Sequence, residues 1–195
     1  DLPGLPQQGG HDVRVFNNSI SDNNTDNFAP EGNIVGEVPR GTGIIIMANS
    51  NVEIFNNQIE DHETVGIAVV SYINDDDSVD FSDSGYYPHP KSVQIHNNAI
   101  SRSGNNPDLD KDIASILFEI SKGDMPDVFW DGVLPIKQMI LGQPEEDKLI
   151  IKDNGEIGFA VMNPIRYMLS LPNQLSRDQS AYSGKITPLT PVIID

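Results

Sequence analysis

The stretch Asn51-Val52-Glu53-Ile54-Phe55-Asn56-Asn57-Gln58-Ile59 alternates branched apolar residues with polar or aromatic ones. It breaks at an Asn-Asn pair and resumes with an isoleucine. That is the pattern of a strand, a tight turn and a second strand. Close copies flank it at Val13-Arg14-Val15-Phe16-Asn17-Asn18-Ser19-Ile20 and Val93-Gln94-Ile95-His96-Asn97-Asn98-Ala99-Ile100.

The copies start 39 and 41 residues apart, long for one small unit. A second element resolves this, because Gly43-Ile44-Ile45-Ile46 recurs 23 residues later as Gly66-Ile67-Ala68-Val69. The basic unit is then about 23 residues, and the surplus falls in insertions, one between Ser21 and Gly41 and one between Tyr72 and Lys91. Ile113-Ala114-Ser115-Ile116-Leu117-Phe118 offers a third copy of the Gly-Ile strand, although Asp112 to Lys122 also fits a helical face. Such a unit cannot bury its apolar face alone, so successive units must stack.

These repeats resemble the right-handed parallel β-helix proteins, a group related to pectate lyases and to carbohydrate-binding and sugar-hydrolysis domains. The segment Leu149-Ile150-Ile151-Lys152-Asp153-Asn154-Gly155-Glu156-Ile157-Gly158-Phe159 is a degraded echo of the motif. It is similar to the terminal part of an uncharacterised bacterial envelope family with tandem β-helix repeats. The fold expected is therefore all-β, a right-handed parallel β-helix (β-solenoid) of three to four coils. It would span 1–163, with insertions at 22–40, 73–90 and 122–147, and a Pro-containing segment at 164–195 would cap it or pack on it. The resemblance implies that Asn18, Asn57 and Asn98 point inward and stack. Identical amides at the strand spacing of about 4.8 Å can hydrogen-bond along the stack on physical grounds alone. Val13, Val15, Ile20, Val52, Ile54, Ile59, Val93, Ile95 and Ile100 should face inward, with Ile44, Ile46, Ile67 and Val69 lining a further wall.

Twenty-nine acidic against twelve basic side chains give a net charge of -17, which repels polyanions and argues against nucleic acid as a partner. There is no cysteine, hence no disulfide and no thiolate site. No run of sequence approaches the roughly 20 apolar residues of a membrane span. The first motif begins so early that the coil before it needs a cap, from further coils or from an assembly partner. The resemblance implies an extracytoplasmic protein that binds a polysaccharide or an envelope partner. The alternative is a polysaccharide lyase, epimerase or hydrolase acting on an acidic glycan.

Candidate chemistry lies in four places. Glu60-Asp61-His62-Glu63 follows the middle motif, and Asp22 and Arg102 fall at the matching turns of adjacent coils. Asp61, His62 and Arg102 supply the acid, base and cation that proton abstraction or glycoside hydrolysis needs. Phe16, Phe55 and His96 form an outward aromatic column suited to the apolar face of a sugar; stacking on one another under a loop or the tail is the simpler reading. Tyr86 and Tyr87 in the second insertion could also stack on sugars. Asp75, Asp76, Asp77 and Asp80 in the same insertion offer oxygen ligands to Ca2+, without the spacing of an EF-hand loop. The outward residues of the Gly-Ile wall, Ile45, Met47, Ala68 and Val70, are apolar and need a cover or a partner. His11 and His89 are expected to contact only solvent.

Overall fold

The structure is a computed structural model that describes residues 6–30, 32–73 and 86–191. In chain order its elements are β1 (His11–Phe16), β2 (Ser19–Ser21), β3 (Thr42–Met47), β4 (Ser50–Phe55), β5 (Gln58–Glu60) and β6 (Val65–Val70). Then follow β7 (Lys91–His96), β8 (Ala99–Ser101), α1 (Asp112–Ser121), β9 (Val128–Trp130) and α2 (Ile136–Leu141). The last are β10 (Ile150–Lys152), β11 (Phe159–Met162), α3 (Pro164–Met168) and β12 (Leu175–Ser176).

Three sheets result, with orders β1-β4-β7-β10, β2-β5-β8 and β12-β11-β9-β6-β3. Val13, Val52 and Val93 share one register in the first sheet, and Ile20, Ile59 and Ile100 share one in the second. The first Asn of each pair takes the left-handed conformation, with φ of 58°, 56° and 55° at Asn17, Asn56 and Asn97, and Asp153 repeats it at 56°. A short side chain that bonds its own backbone tolerates that region, which is why the turn is written in Asn and Asp. The second Asn is thereby turned inward. Asn18, Asn57, Asn98 and Asn154 form a continuous ladder whose Nδ2-to-Oδ1 steps are 3.0, 2.9 and 3.0 Å.

The expectation of an all-β, right-handed parallel β-helix is corrected. Parallel pairings are mixed with the antiparallel pair β11–β12, and about 18% helix accompanies 29% strand, so parallel sheets with helices suggest an α/β fold. The decisive segment is 112–121. Ala114, Leu117 and Ser121 recur at helical spacing and are the buried residues of α1, so Ile113 to Phe118 is helix and no strand copy. Lys122 and Gly123 end it in left-handed conformations, their N–H groups returning to Glu119 O and Phe118 O. The strand position is filled by β9 instead, with Ile67, Ala68 and Val69 paired to Val128, Phe129 and Trp130. The segment 122–147, expected as an insertion, thus contributes a strand.

Two cores follow. Between the sheets lie Ile46, Val52, Ile54, Ile59, Ile67, Val69, Val93, Ile95 and Ile100, with Val13, Val15, Ile20 and Ile44 partly buried against them. Outside the third sheet, α1 lays Leu117 on Val65, Ala68, Val70 and Phe129, with Ile45 and Met47 at the margin. The apolar outer wall therefore has a helical cover. The C-terminal segment closes one end of the stack. Tyr182 meets Trp130 edge-on at 5.7 Å and Phe159 at 5.1 Å, and Gln179 Nε2 donates to Ile151 O at 3.3 Å. The tail then crosses the first sheet, where the Thr187 backbone exchanges hydrogen bonds with the Gln94 amide at 2.6 and 2.7 Å.

Candidate functional site

Asp61 and Arg102 occupy equivalent left-handed turns of neighbouring repeats, with φ of 62° and 58°. The register brings their side chains together. Arg102 Nε and Nη2 donate to the two Asp61 oxygens at 2.5 and 2.7 Å, and Nη2 also reaches Glu60 Oε2 at 2.5 Å. The guanidinium holds the Asp61 carboxyl below the usual carboxylate range, and the two carboxylates raise the Arg102 pKa in turn. A carboxylate bound at both oxygens by a fixed cation is a poor base.

His62 does not join them. It is fully buried, with Nε2 3.2 Å from Ile20 O and Nδ1 facing the Asn23 N–H at 3.4 Å, so Nε2 carries the proton and Nδ1 accepts. Burial lowers its pKa against the opposing pull of the Ile20 carbonyl. The expected catalytic set is thus split into a solvent-facing ion pair and an interior imidazole.

The aromatic column is present as a stack. Phe16 and Phe55 lie 5.0 Å apart at 11°, and Phe55 and His96 lie 5.4 Å apart at 8°. The inner faces are therefore spent on one another, and Phe16, 43% exposed, is the one accessible ring. Arg14 sits over Phe16 and Phe55 at 5.2 and 5.1 Å. Its Nε donates to Glu53 Oε2 at 3.0 Å, and His96 Nε2 lies 3.2 Å from Glu53 Oε1. Glu53 points outward from its strand yet is buried, because the tail passes over it and the Leu189 N–H donates to Oε2 at 3.2 Å.

Tyr86 is buried, donates to Tyr72 O at 2.6 Å, and has its pKa pushed up to about 12 by desolvation, so it offers no sugar platform. Tyr87 packs edge-on against His89 at 5.4 Å under Lys91, and burial raises its pKa too. Asp75, Asp76, Asp77 and Asp80 lie outside the described residues. Among the described residues there is no cluster of three or more acidic, His or Cys side chains placed to hold a metal, which says nothing of that insertion. No helix among them is long and apolar enough to cross a membrane.

What the sequence reading missed lies at the C-terminal ends of β6 and β9. Asp131 accepts the N–H groups of Ser71 at 2.6 Å and Val133 at 3.0 Å, and burial pushes its pKa up to about 7 against both bonds. Ser71 Oγ lies 3.1 Å from His89 Nδ1 and donates to Val133 O at 3.1 Å. His89 is buried, with a depressed pKa, and the expectation that it contacts only solvent is wrong. The order of contacts is not that of a nucleophile relay: Asp131 holds the Ser71 backbone and does not orient the His89 ring. No sequence motif joins positions 71, 89 and 131. The pairing of β6 with β9 brings Ser71 to Asp131, and the Tyr72 N–H bond to Pro88 O sets His89 beside them.

This cluster borders a cleft of about 690 Å³ on the outer face of the third sheet. Ile45, Met47, Val70 and Phe129 line it beside Ile113 and Ile116 of α1, and Asp131 and Ser71 stand at one end. Exposed Glu37 and Asp112 mark the rim. No family model, curated protein or solved structure compared with the chain matches it, so nothing there identifies a repeat family.

Proposed function

We infer that the protein is a non-catalytic binding module whose cleft beside α1 takes an apolar segment of a partner protein that also carries basic residues. The observation that carries this reading is the cleft itself, an open apolar concavity with acidic groups on its rim, on a chain of net charge -17. Phosphate-bearing partners are disfavoured by the same charge. The reading makes no use of Asp61, His62 and Arg102, because the first and last neutralise each other and the second is buried. An extracytoplasmic setting at the cell envelope enters through the sequence resemblance alone.

A dye-labelled peptide alternating leucine and lysine, titrated against the intact protein, tests it. Binding should saturate, weaken with salt and fall about threefold on Glu37→Lys, which reverses a charge on the exposed rim. Equal binding of a leucine-glutamate peptide, or indifference to Glu37→Lys, would overturn the reading. A second reading, a polysaccharide laid on exposed Phe16 beside Arg14, is favoured by that one accessible ring and is tested by Phe16→Ala.

A further inference from the structure

Asp131 lines the cleft beside α1 yet is only 8% exposed. It follows β9 as Ser71 follows β6, so strand pairing fixes the carboxyl in place. Its hydrogen-bond donors are all neutral: the Ser71 N–H on Oδ2, the Val133 N–H on Oδ1, and the Ser71 hydroxyl beside them. Among the described residues no lysine, arginine or histidine nitrogen comes within ion-pairing distance of it. Positions 1–5, 31, 74–85 and 192–195, which lie outside the described residues, contain no lysine, arginine or histidine.

A buried carboxyl without a counter-ion is held in its protonated form by desolvation, and that is why its pKa stands near 7. A cation set against it would reverse the imbalance, so the position favours positive charge more than a solvated rim carboxylate does. The floor beside it is apolar. Val70 precedes Ser71, Met47 pairs with Val70, and Phe129 lies two residues before Asp131. The group that suits both halves carries its charge at the end of a hydrocarbon stem.

We propose that the end of the cleft at Asp131 is an ammonium site, taking a primary amine with its charge on the Asp131 carboxylate and its aliphatic stem along Met47, Val70 and Phe129. For the identity of the amine this rests on the partner reading of the cleft: it is a lysine side chain of the docked segment. Asp131 then selects the lysine, while Glu37 and Asp112 on the rim only attract it. When the ammonium meets the protonated carboxyl, the carboxyl proton leaves to solvent. The other groups facing this end are Tyr72, which follows Ser71, and His89, which is buried with a depressed pKa beside Ser71 Oγ. Lys111 is turned to the rim, with Nζ 3.9 Å from Glu37 Oε2.

The probe is n-hexylamine, titrated into the intact protein while backbone amide NMR spectra follow the Ser71 and Val133 N–H groups. Saturable shifts at both are expected, and none with n-hexanol. Affinity should rise about tenfold from pH 6 to pH 8 as Asp131 gives up its proton. Asp131→Asn should weaken binding about tenfold at pH 8 and abolish that rise. The pH series on the parent needs no variant to fold. A flat affinity from pH 6 to 8, equal binding of hexanol, or a rise that persists in Asp131→Asn and so belongs to His89 would each overturn the proposal. A leucine-lysine peptide whose binding depends on Glu37 but ignores Asp131→Asn would also overturn it, and would leave the partner reading standing. Amine binding at Asp131 without any peptide binding would remove the partner reading and keep the ammonium site.

Discussion

Asn57 Nδ2 lies 2.9 Å from Asn98 Oδ1, and the same oxygen accepts the Asn57 backbone N–H at 3.0 Å, all three atoms being buried. Replacing Asn98 by leucine strands the Asn57 backbone N–H and removes the Nδ2 bonds to Ile54 O, His96 O and Asn154 Oδ1, while Asn57 Nδ2 keeps Val15 O and Phe55 O and Asn154 Oδ1 keeps the backbone N–H of position 98. A buried orphan costs about 1–3 kcal/mol, so Asn98→Leu should lose about 2 kcal/mol or more in urea unfolding. Asn18→Leu at the exposed end should lose less than half as much.

A Cβ placed on Gly43 would come within 2.7 Å of His62 Nε2 and would also meet the backbone oxygen of Gly66. Neither can retreat, one being held by Ile20 O and the other belonging to a paired strand. Gly43→Ala is expected to cost about 2–3 kcal/mol, by overpacking against backbone. Gly184→Ala, whose nearest neighbours are the flexible end of Ile150 at 3.3 Å, should cost less than about 1 kcal/mol.

Asp131 makes stability fall as pH rises. Its folded pKa, about 7, stands above the unfolded value of 3.8, so its stabilising contribution is complete below pH 3.8 and is lost as pH climbs to about 7. Taken over that window the effect is about 2–4 kcal/mol. His62 acts in the opposite sense: with its pKa lowered from 6.5, it stabilises above pH 6.5 and loses that contribution as the solution is acidified. From pH 4 to 8 the parent should lose stability relative to Asp131→Asn, read from unfolding curves of both. Parallel curves would show that Asp131 is ionised throughout.

Leu189→Pro removes the N–H that reaches Glu53 and should cost about 1.5–3 kcal/mol, the worth of a hydrogen bond to a charged group. Thr190→Ala, one residue on, should be close to neutral. The comparison is read from midpoints in the same denaturant series.

The repeat motif disclosed strand register, the inward residues and three of the four ladder rungs, because period-two patterning and the Asn-Asn turn are local properties. The pure β-helix reading failed at 112–121, where Ile113, Ile116 and Leu117 satisfy a strand run and a helical face equally well. The tertiary contact of Leu117 with Ala68 and Phe129 decides between them. Asp61 and Arg102 were legible as neighbours because register is arithmetic. The burial of His62 was not, since it depends on Gly43 standing across from it. Glu53 reads as a solvated outward residue until a segment more than a hundred positions away is laid over it, and Ser71, His89 and Asp131 meet only through tertiary contacts, the β6–β9 pairing and the Tyr72–Pro88 backbone bond.

That distant cover orders events in time. Repeats can settle against one another as they leave the ribosome, each new strand finding a neighbour already made. Glu53 emerges early, beside Arg14 and before His96, but waits for Leu189, 136 residues later, to receive its last donor. Until that segment is synthesised, the first sheet keeps an acidic group open to water on its outer face. Its arrival, and no earlier step, shuts the group in.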